Sequence, residues 1–228
     1  MAMITTMIIR TDTTIPTMTD DAYHYLKDPA EIYALSFDTV RAEANLSRLE
    51  DDQQDIAIRL VHACGMPDIV DDLAFTENSV AAGRAALSAG APIFIDATMV
   101  GSGIIARHLT NNTVMCTLND DRVDADAKSW GTTRSAAAVD RWQSDMGGAV
   151  VAIGNAPTAL FRLLELIADG APKPAVILGF PVGFVGAAES KEALVANNMG
   201  LEFITLRGRR GGSAMASAAV NALAAGLR

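Results

Sequence analysis

Apolar residues recur at helical spacing through "PAEIYALSFDTVRAEANLSRL", residues 29–49, and Pro29 suits a first helical turn, so the pattern predicts a helix there. A second helix is predicted over "EDDQQDIAIRLVHACG", residues 50–65. It opens on aspartates able to cap a helix start and closes on Gly65, a natural left-handed terminator. A third runs through "ENSVAAGRAALSAG", again ended by glycine. The texture then changes to short apolar runs, "PIFIDA", "TVMCTL", "AVVAIGN", "AVILGF" and "EFITLRG", separated by helical stretches such as "APTALFRLLELIADG".

Near-continuous apolar strands alternating with helices describe a parallel sheet covered on both faces. The expected fold class is α/β: a flavodoxin-like, doubly wound, parallel five-stranded sheet with a helical N-terminal region. In the strand order 2-1-3-4-5 the loops after the first and third strands share a crevice. Those loops are "DATMVGSG" and "GNAPT", and the ligand is expected between them.

A chain of 228 residues with 50% hydrophobic and 20% charged residues is long enough to bury a full core. The expected division is a loose extension over residues 1–18 and one domain over residues 19–228. No apolar run reaches the roughly 18 residues of a membrane span, and the start lacks a basic leader followed by an apolar core, so a cytoplasmic protein without a membrane partner is expected. Cys64 and Cys116 are too few for a disulfide framework, and His24, His62 and His108 lie on separate segments, so no metal site is expected. The net charge of −9 argues against a nucleic-acid partner. Yet 14 of the 18 basic residues are arginine, whose two-pronged fork grips carboxylates, so a local anion pocket remains open to an acidic chain.

On a helical wheel of about 100° per residue, Ile56, Ala57, Leu60, Val61, Ala63 and Cys64 crowd one side of the second helix, while Asp55, Arg59 and His62 share the other. Arg59 and His62, three apart, are neighbours, whereas Cys64 points elsewhere, which excludes a Cys–His pair within the helix. The plain alternative is an exposed histidine, but imidazole is also the side chain best suited to donate a proton near neutral pH. "GSGIIA", residues 101–106, follows a strand, opens a predicted helix and fits G-x-G-x-x-A, with Asp120 and Asp121 placed for a ribose. The gap between Asp96 and Gly101 is longer than that fingerprint wants; the plain alternative is a glycine loop that lets backbone approach another ligand. Arg134, and Arg207, Arg209 and Arg210, precede predicted helix starts and are candidate anion contacts, set against solvated charge. Thr98, in the loop after the first strand, is a further substrate-binding candidate. "GFPVGFVGAAESK", residues 179–191, reads as a wall against a large, flat, apolar ligand.

Five segments together resemble the precorrin-8X methylmutase family: "HACG" (62–65), "TRSAAA" (133–138), "VVAIGNAPTALF" (150–161), "GFPVGFVGAAESK" and "GRRGGSAM" (208–215). The likeness runs from Tyr25 to the C-terminus. It implies a flavodoxin-like fold, a homodimer, and migration of a methyl group between adjacent carbons of a tetrapyrrole polycarboxylate, precorrin-8X, to give hydrogenobyrinate. It implies no cofactor and no metal. The family's catalytic histidine falls on His62, and its substrate-contacting serine and arginine fall on Ser36 and Arg59. Two departures are Leu35, where the family often has a basic residue, and Thr132, where it has asparagine. The long matches are closer to the cobalt-free branch.

The expected chemistry is a 1,5-sigmatropic shift of a methyl group from C-11 to C-12, with His62 as general acid. Arg59 and Arg134 would hold peripheral carboxylates, and Ser36 would add a hydrogen bond. Two other classes compete: a carrier that binds the tetrapyrrole without chemistry, and an NAD-dependent oxidoreductase resting on the glycine motif alone.

Overall fold

The computed structural model describes residues 25–226, so the expected extension over residues 1–18 lies outside the described residues. Its helices are α1 (Pro29–Glu43), α2 (Asp51–Cys64), α3 (Ser79–Ser88), α4 (Thr98–Gly103), α5 (Val123–Trp130), α6 (Arg134–Val139), α7 (Pro157–Ala168), α8 (Ala187–Val195) and α9 (Ser213–Ala224). The strands are β1 (Leu73–Phe75), β2 (Ile93–Ile95), β3 (Val114–Met115), β4 (Val150–Ile153), β5 (Val176–Gly179) and β6 (Phe203–Leu206). The predicted first helix stops early, at Glu43. The Asn45 side chain accepts from the backbone N–H and the hydroxyl of Ser47, which offers the chain a local turn in place of further helical bonds.

The sheet order is β1-β6-β5-β4-β2-β3, with every pair parallel except β1 against β6. Renumbered among themselves, the five parallel strands read 2-1-3-4-5, the order expected from the sequence. The sheet has six strands rather than five, because β1 adds an antiparallel edge through Leu73, Ala74 and Phe75. Three residues are too short for an alternating pattern to register.

Side chains alternate between two cores. Ile93 and Ile95, Val150 and Ala152, and Val176 and Leu178 face one core with α2, α3 and α9. Phe94, Val151, Ile153 and Ile177 face the other with α7 and Trp142. On the first face α9 packs directly on β4 and β5, α2 packs on α9, and α1 packs on α2. Helix α9 is buried on every side from Met215 to Ala224, and its alanines let α2 approach closely. The N-terminal helices thus form an outer layer held over the sheet by a small-residue helix. Among the described residues no helix is long and apolar enough to cross a membrane.

Candidate active site

Gly65, with φ of 69°, ends α2 in the left-handed region and leaves His62 in its last turn. Tyr33, Ser36 and Phe37 fall at i, i+3 and i+4 on α1 and so share a face, which meets that turn. Ser36 Oγ lies 2.7 Å from His62 Nδ1. The Tyr33 and Phe37 rings flank the imidazole at centroid distances of 5.4 and 5.2 Å, the latter edge-on. Arg59, one turn back on α2, lays its guanidinium over the Phe37 ring at 5.4 Å.

A hydroxyl can donate to Nδ1 or accept from it, so Ser36 remains a partner whether the imidazole holds one proton or two. Either way the ring is fixed by one nitrogen. The other, Nε2, forms no bond among the described residues. His62 lines two cavities. One, of about 430 Å³, has walls from Leu26, Leu35, Ser36 and Val61; the other, of about 400 Å³, from Tyr33, Arg59, Met99, Ser102 and Asn221. The arrangement can present a positioned proton to a large apolar ligand bearing anionic groups.

The crevice expected between the loops after β2 and β4 is only half of this site. Met99, Ser102 and Gly103, after β2, do line the second cavity, but no residue of the loop after β4 lines either. That loop is held by Asp96 at the end of β2. Its Oδ1 accepts from Gly154 N–H at 2.8 Å, and Oδ2 accepts from Asn155 and Ala156 N–H at 2.9 and 2.7 Å. A carboxylate of the protein itself therefore occupies the amide cradle ahead of α7, where an open sheet of this kind can take an anion. Burial pushes the Asp96 carboxyl up, against the pull of the three amides.

The glycine motif is also reassigned. Residues 101–103 close α4 instead of opening a helix, and Ile104 is extended, so the strand, tight turn and helix of a dinucleotide site are not formed. Gly103 serves packing: a Cβ there would lie 2.3 Å from Ser217 Oγ on α9. Asn221 completes the joint, donating to Gly103 O at 2.9 Å and accepting from Ile105 N–H at 2.8 Å.

Of the residues singled out by sequence, Ser36, Arg59 and His62 come together. Thr98 begins α4, exposed, one residue ahead of the cavity wall at Met99. Arg134 lies elsewhere, ion-paired with Asp124 at 2.5 Å and donating to Leu118 O, and lines neither cavity of His62. Phe184 and Val185 in the expected apolar wall are exposed, and the Arg209 guanidinium lies over the Phe184 ring at 5.6 Å. Arg207 pairs with Glu192 and Arg210 with Asp68 and Asp72, so these two are committed to protein carboxylates. Cys64 lines neither cavity, and burial pushes its thiol up. Tyr33 and Phe37 were missed, although "YALSF" places both on the face of α1 that carries Ser36.

Arg210 fastens the 3-10 turn that follows α2, at Pro67–Asp72, and its carbonyl accepts from Lys191 Nζ at 2.6 Å. Lys191 is wholly buried, which pushes its ammonium from the ordinary 10.5 down to about 8, against the pull of Asp72 and Glu192. Below the folded value both folded and unfolded chains hold the proton, and the buried charge costs stability. Above it the folded chain releases the proton while the unfolded chain keeps it. Stability should therefore rise from about pH 8 toward 10.5. Urea unfolding of wild type against Lys191→Met should show a wild-type gain of roughly 2 kcal/mol over that window, absent from the variant. Parallel pH profiles would contradict the assignment.

The profile of the precorrin-8X methylmutase family matches residues 31–225. A precorrin-8X methylmutase of Pseudomonas aeruginosa is 58% identical over 201 residues, covering 88% of this chain and 97% of the relative. One from Sinorhizobium sp is 55% identical over 203 residues, covering 89% and 97%. A cobalt-precorrin-8 methylmutase of Priestia megaterium is 34% identical over 197 residues, covering 86% and 87%. The crystal structure of a precorrin-8x methyl mutase from Thermus thermophilus superposes with a TM-score of 0.78 at 36% identity, covering 86% of this chain and 94% of that one.

Proposed function

The chain belongs to the precorrin-8X methylmutase family, making it an isomerase of cobalamin biosynthesis, and from that premise we propose that it moves a methyl group of precorrin-8X from C-11 to C-12 with His62 as general acid. The shift is a 1,5-sigmatropic one: the bond from C-11 to the methyl carbon breaks as the bond from C-12 forms. No electron leaves the ring. Substrate and product, hydrogenobyrinate, are isomers, so any proton that Nε2 lends to the conjugated system returns. Protonation draws electron density through the macrocycle and lowers the barrier; positioned proton transfer typically contributes about 10²- to 10⁴-fold. Holding the ring in reacting shape against Tyr33, Met99 and the floor of α9 supplies further acceleration.

The observation that carries the reading is the Ser36–His62 pair, which fixes the imidazole by Nδ1 where two cavities meet. Arg59 would take a peripheral carboxylate. Thr98, beside Met99, would contribute a contact at the rim, Arg134 would meet a peripheral carboxylate from outside these two cavities, and residues 19–228 would act as one domain within a homodimer in the cytoplasm. The cobalt-free ring is favoured because the two relatives above half identity, those of Pseudomonas aeruginosa and Sinorhizobium sp, are both named for precorrin-8X.

The test is absorbance after mixing excess precorrin-8X with a small amount of the protein, since moving the methyl group changes the conjugation. Complete conversion over many turnovers is expected. Mixing that gives no spectral change of isomerisation, even at one equivalent, would indicate a carrier instead.

A further inference from the structure

Phe37 also lines a cavity of about 170 Å³ that His62 does not line, walled by α1 (Phe37, Arg41), α2 (Asp55, Ile58, Arg59), α3 (Arg84) and the end of α9. Three guanidiniums face it against one carboxylate, in a chain whose net charge is −9. Their internal pairing is thin. Arg84 reaches Asp55 only at 4.0 Å, and its Nε is buried with no hydrogen-bond partner among the described residues. Arg41 holds Asp38 through a single contact at 3.3 Å. Arg59 has no ion pair among the described residues, being stacked on Phe37. A buried donor without an acceptor is costly, and native proteins rarely leave one unless a ligand or ion completes it.

Arg59 is the link. It lines both this cavity and the one shared by Tyr33 and His62, so a group extending from a ring beside His62 reaches the smaller cavity by passing the Arg59 guanidinium. Ile58, Phe37 and Ala222 offer apolar wall to a short methylene arm, and the arginine forks match a terminal carboxylate in geometry and charge. We propose that this cavity is a second anion subsite, in which Arg84 and Arg41 complete with Arg59 a clamp for one carboxylate arm of the bound macrocycle. The identity of the arm rests on the function proposed above.

Titration of the whole chain with hydrogenobyrinate, followed by the ligand's absorbance, tests this in wild type, Arg84→Gln and Arg84→Lys. Loss of a charge-assisted bond predicts about 10- to 100-fold weaker binding to Arg84→Gln, with partial recovery in Arg84→Lys. With a ring whose carboxylates are converted to carboxamides, wild type and Arg84→Gln should bind alike, because the group that Arg84 reads is gone. Equal binding of hydrogenobyrinate by wild type and Arg84→Gln would overturn the subsite and leave the proposed function standing. Equal weakening toward both rings would assign Arg84 a structural role and also overturn it. Failure of wild type to bind hydrogenobyrinate would overturn the proposed function, and the subsite with it.

Discussion

Turnover of precorrin-8X is expected to fall by about 10²- to 10⁴-fold in His62→Ala, with the affinity for hydrogenobyrinate held within a few fold. The separation follows from position. The imidazole is one lining side chain among many: Tyr33, Met99, Asn221 and the α1 face remain as walls in the variant, and Arg59 remains to hold an anionic group. What the variant loses is the proton at Nε2, which matters only as charge develops in the ring. Loss of an interaction realised only in the transition state lowers kcat and kcat/KM together and leaves binding alone. Stopped-flow absorbance separates the two quantities. Near-normal turnover would reject the acid role, and a loss confined to affinity would make His62 a binding residue.

The second large effect concerns stability. Asp96→Ala should lower unfolding stability by about 3 to 5 kcal/mol, because three amides, that of Gly154 buried and those of Asn155 and Ala156 partly so, lose their acceptor at once. The relief of burying a charged group offsets part of that loss, consistent with a carboxyl that burial pushes up. For a chain of this length the cost corresponds to a fall in Tm of roughly 6 to 20 °C. Thermal unfolding followed by circular dichroism gives the number. A shift of only a degree or two would mean that the loop after β4 does not depend on this tie. The loop starts α7 and shapes the C-terminal edge of the sheet, so a destabilised but folded variant should also lose activity gradually on warming.

The five parallel strands were legible because each is apolar on both faces, and a doubly covered sheet demands that pattern. Their spatial order cannot be counted from sequence; the observed order is the 2-1-3-4-5 that five parallel strands commonly adopt. The edge strand β1 was not legible: Leu73, Ala74 and Phe75 carry no period, and only pairing with β6 makes them a strand. The polar face of α2 put Arg59 beside His62 from sequence, since i and i+3 neighbours are fixed by helix geometry. The partner that orients His62 is a different matter. Ser36 is 26 residues away, and no helical period connects α1 to α2; the family resemblance names it only as a substrate contact, and packing brings the two within 2.7 Å. The glycine motif misled for a related reason. Glycine marks close approach, but sequence does not say whether the visitor is a phosphate or, as at Gly103, the serine of a neighbouring helix. Asp96 reads as an ordinary strand-end aspartate until the sheet order brings the amides of Gly154, Asn155 and Ala156 around it.

A crystal structure of the chain with hydrogenobyrinate bound bears most directly on the proton-donor assignment. The prediction is a macrocycle lying against Tyr33 and Met99, with His62 Nε2 within about 3 Å of a ring atom and Nδ1 still bonded to Ser36. A product seated away from both cavities, with the imidazole facing solvent, would contradict it.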